Sequence, residues 1–153
     1  MSAEDRIVEL KLELPPAPKP AGVYKPVVIV GNLAYVSGHG PLKSDGTMIT
    51  GRVGDEVDEQ QGIAAARQTG LAILASLRAA LGSLNRVKRV IKTLGMVNST
   101  PDFRNHPKVI NGYSELMAEV FGADHGVGAR SAIGMGSLPG NITTEVEVIV
   151  EIE

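Results

Sequence analysis

The stretch that most constrains this chain is residues 145–153, where Val146, Val148, Val150 and Ile152 alternate with Glu145, Glu147, Ile149, Glu151 and Glu153. A period of two with apolar groups at one parity and carboxylates at the other describes a β-strand with one buried and one wet face. Residues 129–135 alternate as well, with Ser131, Ile133 and Met135 on one side and Arg130, Ala132 and Gly134 on the other. Residues 136–141 carry the Gly, Pro and Asn of a turn. The two segments are expected to pair as a hairpin with their apolar faces coincident, which sets Arg130 opposite Glu145 or Glu147 on the face away from the valines. Such a pair is either a surface ion pair worth little or a bidentate anchor for a small carboxylate with a second carboxylate beside it for proton transfer.

The rest of the chain supplies what that sheet needs to pack against. Residues 7–14 alternate loosely and run into Pro15, Pro16, Pro18 and Pro20, so a short strand and a rigid arm are expected over residues 1–21. Residues 27–30 and 33–37 flank Gly31-Asn32, a two-residue hairpin turn. Residues 37–41 are expected as a loop, with a short strand at Met48 and Ile49. The acidic run from Asp55 to Glu59 opens a helix over about residues 56–81, with Ile63, Gly70, Leu71, Leu74, Leu77 and Leu81 on one stripe and Gly82 as its stop. Gly70 within that stripe is expected to bring the helix close to the sheet. Residues 87–97 are apolar at both parities, as in a strand covered on both faces. Pro107 suits the first turn of a second helix whose stripe is Val109, Ile110, Tyr113, Leu116, Met117, Val120 and Phe121, with Asn111 off it.

Two single-striped helices and one sheet predict an α+β two-layer sandwich over residues 1–153, one mixed sheet with both helices on one face. The other sheet face has no helix to cover it, and an apolar face of that size predicts self-association.

Charge and composition narrow the function. A net charge of −2 disfavours a broad phosphate-binding surface, and only five residues are Phe or Tyr with no Trp, so stacking platforms for bases are scarce. No nucleic-acid partner is therefore expected. The chain has no cysteine, which excludes thiol catalysis and disulfides. The start, MSAEDR, lacks the pattern of an export signal, and no apolar run approaches the roughly 20 residues of a membrane span. A cytoplasmic protein without membrane contact is expected.

At Ala129-Arg130-Ser131, the Leu138-Pro139 turn and Glu145-Val146-Glu147, the chain resembles the RidA family of enamine and imine deaminases, also called YjgF-type or L-PSP endoribonucleases. The resemblance extends over nearly the whole chain from Tyr24 onward. It implies a chorismate-mutase-like fold assembled as a homotrimer, with three sheets around a central barrel and sites between subunits. It also implies a substrate-binding set of Tyr24, Ser37, Gly38, Asn111 and Arg130, with Arg130 on the substrate carboxylate and Glu145 near the reacting water. Two positions depart from the family pattern. His39 stands where a Gln is usual, and Val127-Gly128 where Phe-Pro is usual, which bears on substrate shape more than on reaction class.

The activity this implies is hydrolysis of small 2-imino or 2-enamino acids to 2-keto acids and ammonia, with no metal or cofactor. The alternative is a carboxylate-binding or regulatory module using the same arginine cleft without turnover. An endoribonuclease is disfavoured by the acidic charge and scarce aromatics. Taken singly, the residues have plainer readings. His39 and His125 read as loop histidines and His106 as a helix-start residue, with none at metal-ligand spacing. Ser37 has no nucleophile-elbow sequence around it. Because an exposed guanidinium holds a carboxylate only weakly, the site is expected to form only in the oligomer, its second wall coming from residues 111–128 of a neighbouring chain.

Overall fold

The computed structural model describes residues 1–153. In chain order the elements are α1 (Ala3–Glu9), β1 (Val27–Val30), β2 (Leu33–His39), α2 (Glu59–Leu81), β3 (Val87–Asn98), α3 (His106–Phe121), β4 (Ala129–Met135) and β5 (Thr144–Ile152). Short 3-10 turns at Leu84–Arg86 and Pro139–Asn141 lead into β3 and β5. One mixed five-stranded sheet runs β1-β2-β5-β3-β4, and α2 and α3 lie on one of its faces, the α+β two-layer architecture expected.

β5 earns its central place through its alternation. Val146, Val148, Val150 and Ile152 are buried under the helices with Ile73, Leu74, Leu77, Ile110, Tyr113 and Leu116, while Glu145, Glu147, Ile149 and Glu151 face the other way. α2 begins at Glu59, three residues later than expected, because Asp58 caps it and Gln61 closes a capping box. Asp55 and Glu56 lie in the turn before it. Gly70 does permit a close approach, but to α3. A Cβ there would lie 2.8 Å from Leu116 Cδ2, and one on Gly112 would overlap the Ile63 carbonyl. The two helices thus meet through glycines before packing on the sheet.

Three expectations are corrected. Residues 7–14 form no strand. Ser2 caps a helix, its hydroxyl accepting from Asp5 N while the Asp5 carboxylate accepts from Ser2 N, and this buries Ile7 in the core. Met48 joins only an isolated bridge to Leu42, and Thr50 another to Ile142.

The third correction moves the site. β4 and β5 are not hairpin neighbours, because β3 lies between them, parallel to β4 and antiparallel to β5. β3 is apolar at both parities and is the longest strand, so an interior place with a partner on each side hides the most of it. Arg130 consequently aligns with Thr93 and Glu145 with Met96. Arg130 is not opposite either glutamate.

Candidate active site

The Glu145 side of the molecule is built by irregularities in β2. Val36 pairs with Val148 and His39 with Val146, so β2 spends three residue steps where β5 spends two. This is a β-bulge, the device by which a strand re-aims side chains. Both Val36 and His39 turn into the helix layer, and the two residues between them, Ser37 and Gly38, are presented together at the helix-free face. The expected loop at 37–39 is thus strand with one extra residue. Ser37 Oγ donates to Lys25 O (2.6 Å) and Ser37 N donates to Pro26 O (2.9 Å), which fastens the proline arm to the bulge. Tyr24, at the end of that arm, accepts from Ala21 N through its hydroxyl (3.3 Å).

Glu145 lies against Gly38 so closely that a Cβ on Gly38 would overlap the carboxylate. Only glycine fits there. Burial pushes the Glu145 carboxyl above its ordinary range, and the neighbouring Glu147 carboxylate pushes it the same way. Tyr24, Ser37, Gly38 and Glu145 line one cleft of about 720 Å³, together with the apolar Met48 and Ile142. A carboxyl raised above its ordinary range in a cleft is suited to take up and return a proton.

The Arg130 side is built on α3. Arg130 projects from β4 toward the helices, the same side as Thr93, whose hydroxyl donates to Tyr113. Its Nη1 donates to Asn111 Oδ1 (2.8 Å) and Ser114 Oγ (3.1 Å), and its Nη2 donates to Pro107 O (3.4 Å). All three acceptors are neutral. No carboxylate lies within 4.0 Å of the guanidinium, although four other cationic side chains form ion pairs. Arg130, Asn111, Ser114, Val127 and Gly128 line a cavity of about 190 Å³. A guanidinium aimed by neutral groups keeps its charge free for an incoming carboxylate.

The candidate residues therefore fall into two groups within one chain. Tyr24, Ser37, Gly38 and Glu145 share the first cleft, and Asn111 and Arg130 share the second. The sheet separates them. By strand spacing and residue rise, the Cα atoms of Arg130 and Glu145 are roughly 14 Å apart, and their side chains point to opposite faces. The expectation that both lie on the helix-free face is corrected for Arg130, since it rested on the hairpin register. Sequence reasoning also missed Ser114, which its spacing of three from Asn111 puts on the same helix face. It misjudged His39 too, which is buried and hydrogen-bonded to α2. His106 does start α3, its Nε2 3.2 Å from Ser99 Oγ, and His125 is in a turn. No three His, Asp or Glu side chains converge as a metal-binding group would.

Comparison with known proteins places this architecture. The family described as "YjgF/chorismate mutase-like, putative endoribonuclease" matches residues 4–152, and the chain belongs to this YjgF/RidA family. A Trypanosoma cruzi protein named TCP17 is 41% identical over 143 residues, covering 94% of this chain and 89% of that protein. A 2-iminobutanoate/2-iminopropanoate deaminase of Dermatophagoides farinae is 30% identical over 143 residues, covering 93% of this chain and 95% of its own length. The crystal structure of an Agrobacterium tumefaciens protein of unknown function superposes with a TM-score of 0.90 at 45% identity, over 99% of this chain and 92% of the other. No helix of the chain is long and apolar enough to cross a membrane.

Proposed function

We propose that the protein hydrolyses small 2-imino and 2-enamino acids to the 2-keto acid and ammonia, at sites formed where the Arg130 side of one copy meets the Glu145 side of the next in a homotrimer. The observation that carries this reading is Arg130, positioned by three neutral oxygens and free of any carboxylate counter-ion. It binds the substrate carboxylate bidentately, which fixes the C=N carbon relative to a water. As that water adds to the C=N carbon, Glu145 takes one of its protons and passes it to the nitrogen, giving the carbinolamine. It then carries the hydroxyl proton to the nitrogen as the C–N bond breaks and the keto group and ammonia form, and a 2-enamino acid joins this course once its β-carbon is protonated to the imine. Tyr24, Ser37 and Asn111 shape the pocket. Atoms balance with one water consumed, and the chain's own side chains supply the proton relay.

Assembly follows from the position of the two groups. Neither cleft contains the other's charged residue, and the helix-free face leaves Val28 (45%), Tyr35 (44%) and Ile133 (41%) exposed, an apolar surface that a second copy covers. Docking the Arg130 edge of one copy against the Glu145 cleft of the next also excludes water from the Arg130–carboxylate contact, which strengthens it. The identity to the mite deaminase supports the reaction class, and the acidic net charge weighs against RNA as substrate.

Ammonia release from 2-aminoacrylate generated in place by a dehydratase tests the reading. Wild type is expected to exceed the uncatalysed rate and Arg130→Ala to match it; equal rates for both would overturn it. A second reading, a carboxylate-binding module without turnover, is favoured by the completeness of the Arg130 wall within one chain. Both bind 2-oxobutyrate, and only the enzyme consumes an imine.

A further inference from the structure

We infer that His39 is a positioning residue: its Nδ1–H bond to the Ser37 carbonyl pins the β2 bulge and so holds the Gly38 backbone against the Glu145 carboxylate. The inference rests on the deaminase reading for its consequence in turnover, and on geometry alone for its effect on Glu145.

His39 is 6% exposed and sits between β2 and α2. Its Nδ1 is 2.6 Å from Ser37 O and its Nε2 2.7 Å from Ser76 Oγ on α2. A carbonyl only accepts, so Nδ1 carries the proton, and in the neutral ring Nε2 accepts from the Ser76 hydroxyl. Both ring nitrogens are satisfied only in that tautomer. Burial lowers the proton affinity of the ring, which favours this neutral form, while the Ser37 carbonyl opposes it more weakly. No charged side chain bonds to the ring from β2 or α2, and its β5 partner is Val146.

The bond spans the bulge. It closes from residue 39 back to the carbonyl of residue 37, across Gly38, the residue that a side chain cannot replace without meeting Glu145. An extra residue in a strand has no ladder bond of its own to hold it, so a bulge beside a site is only as rigid as the side chains that tie it down. Here the Ser37 N and Oγ bonds tie it to residues 25 and 26, and the His39 ring ties it to itself and to a helix. Glu145 depends on the result, because the Gly38 backbone covers its carboxylate and contributes to the burial that raises its pKa; Glu147 is the charged group that also faces it.

The two ring bonds can be separated by substitution. In His39→Asn the side-chain amide nitrogen replaces Nδ1 and keeps the bond to Ser37 O, while the bond to Ser76 is lost. In His39→Gln the longer amide reaches the Nε2 position, keeping Ser76 and losing Ser37. Ser76→Ala removes only the helix bond. The titration of Glu145, followed by ¹³C NMR of its labelled carboxyl in the full-length protein, reads the effect directly. The Glu145 midpoint is expected to fall toward the ordinary carboxylate value in His39→Gln and to stay at the wild-type value in His39→Asn and Ser76→Ala. With 2-aminoacrylate, kcat/KM of His39→Gln is expected to drop about tenfold or more, because small misplacements of a catalytic group cost that much.

A folded His39→Gln with an unmoved Glu145 midpoint overturns the inference. So does a Ser76→Ala that moves the Glu145 midpoint away from the wild-type value, which also decides the matter should the glutamine variant fail to fold. If wild type shows no turnover above background, the deaminase reading falls, and the Glu145 titrations still decide the role of His39.

Discussion

The Arg130 and Glu145 sides of the molecule each carry one charged group, and they hold it by opposite means. Arg130 stands on an edge strand and is aimed by a regular helix, through Asn111 and Ser114 one turn apart and the Pro107 carbonyl below them. Glu145 stands on a central strand and is shaped by irregular backbone: a bulge in β2, the proline arm, and a glycine with no room for a side chain. One side presents a charge that nothing in the chain neutralises, and the other destabilises its charge by burial and a like neighbour. In the proposed hydrolysis, binding and proton transfer make these different demands, and a single chain would meet them at two places that the sheet keeps apart.

The largest expected effects come from removing either charged group. Arg130→Ala deletes one partner of a charge-assisted pair and is expected to lower kcat/KM about 100-fold. Glu145→Gln keeps the shape and removes the proton acceptor, with an expected loss of about 100-fold or more in kcat. Co-refolding the two inactive variants in equal amounts tests the division itself. Where every site takes its Arg130 and its Glu145 from different copies in a closed ring, random mixing restores about a quarter of the wild-type sites. No recovery in mixed oligomers, with both variants folded, would mean that one chain supplies both groups.

Gly38→Ala is expected to act on one side only. The added methyl overlaps the Glu145 carboxylate, so either the bulge or Glu145 must shift, at a cost of about 1–3 kcal/mol in stability. A fall of about tenfold in kcat is expected, with 2-oxobutyrate binding to the Arg130 wall far less affected. Calorimetric titration of the ligand beside a thermal melt checks both. A variant that loses binding and keeps kcat would reverse the assigned roles.

Much of this layout was legible in the chain, and the errors have physical causes. The period of two in β5 and the stripe of α3 identified core positions correctly, since each reports which groups must leave water, while the α2 stripe was right at Leu74, Leu77 and Leu81, included the half-buried Ile63, and missed Ala66 and Ile73. That same period says which face a residue takes and nothing about which strand lies beside it. The hairpin between β4 and β5 was inferred from a turn, and the insertion of β3 moved Arg130 to the helix side. The bulge at Ser37 and Gly38 has no periodic signature, because a glycine-rich strand and a loop share one composition. The helix at Ala3–Glu9 was missed because the loose alternation of residues 7–14 was read as a strand, while the structure caps the helix through Ser2 and Asp5. Asn111 and Arg130 were expected as candidates, and their direct contact was not.

The pH dependence distinguishes the two sides further. In the proposed hydrolysis Glu145 acts as a carboxylate, so kcat/KM is expected to rise with pH through its raised pKa, an acid limb above the ordinary value of 4.5. The sign for stability is the reverse. A carboxyl whose folded pKa is raised contributes stability that is complete below the unfolded value and lost as pH rises through the folded one. His39, lowered by burial, contributes stability that is complete above 6.5 and lost as pH falls through its folded value. Activity and melting temperature measured across pH 4–7 should therefore move in opposite directions where Glu145 titrates. Glu145→Gln should remove that opposition and leave the His39 loss in place.

The smallest expected effect belongs to Asn111. Its Oδ1 holds Arg130 Nη1 at 2.8 Å, but the same nitrogen also reaches Ser114 Oγ and the other reaches Pro107 O, so two of the three acceptors survive Asn111→Ala. Asn111 is exposed, and losing a bond of this kind costs about 1 kcal/mol. Since the bond aims the guanidinium in the free protein and in every later state alike, KM is expected to rise about fivefold with kcat unchanged. The double variant Asn111→Ala/Ser114→Ala leaves the guanidinium with the Pro107 carbonyl alone, and its KM should rise by more than the product of the single effects. Steady-state kinetics on the four proteins measures this coupling. Simple additivity would show that the helix does not aim Arg130 as a unit, and that the edge strand alone directs it.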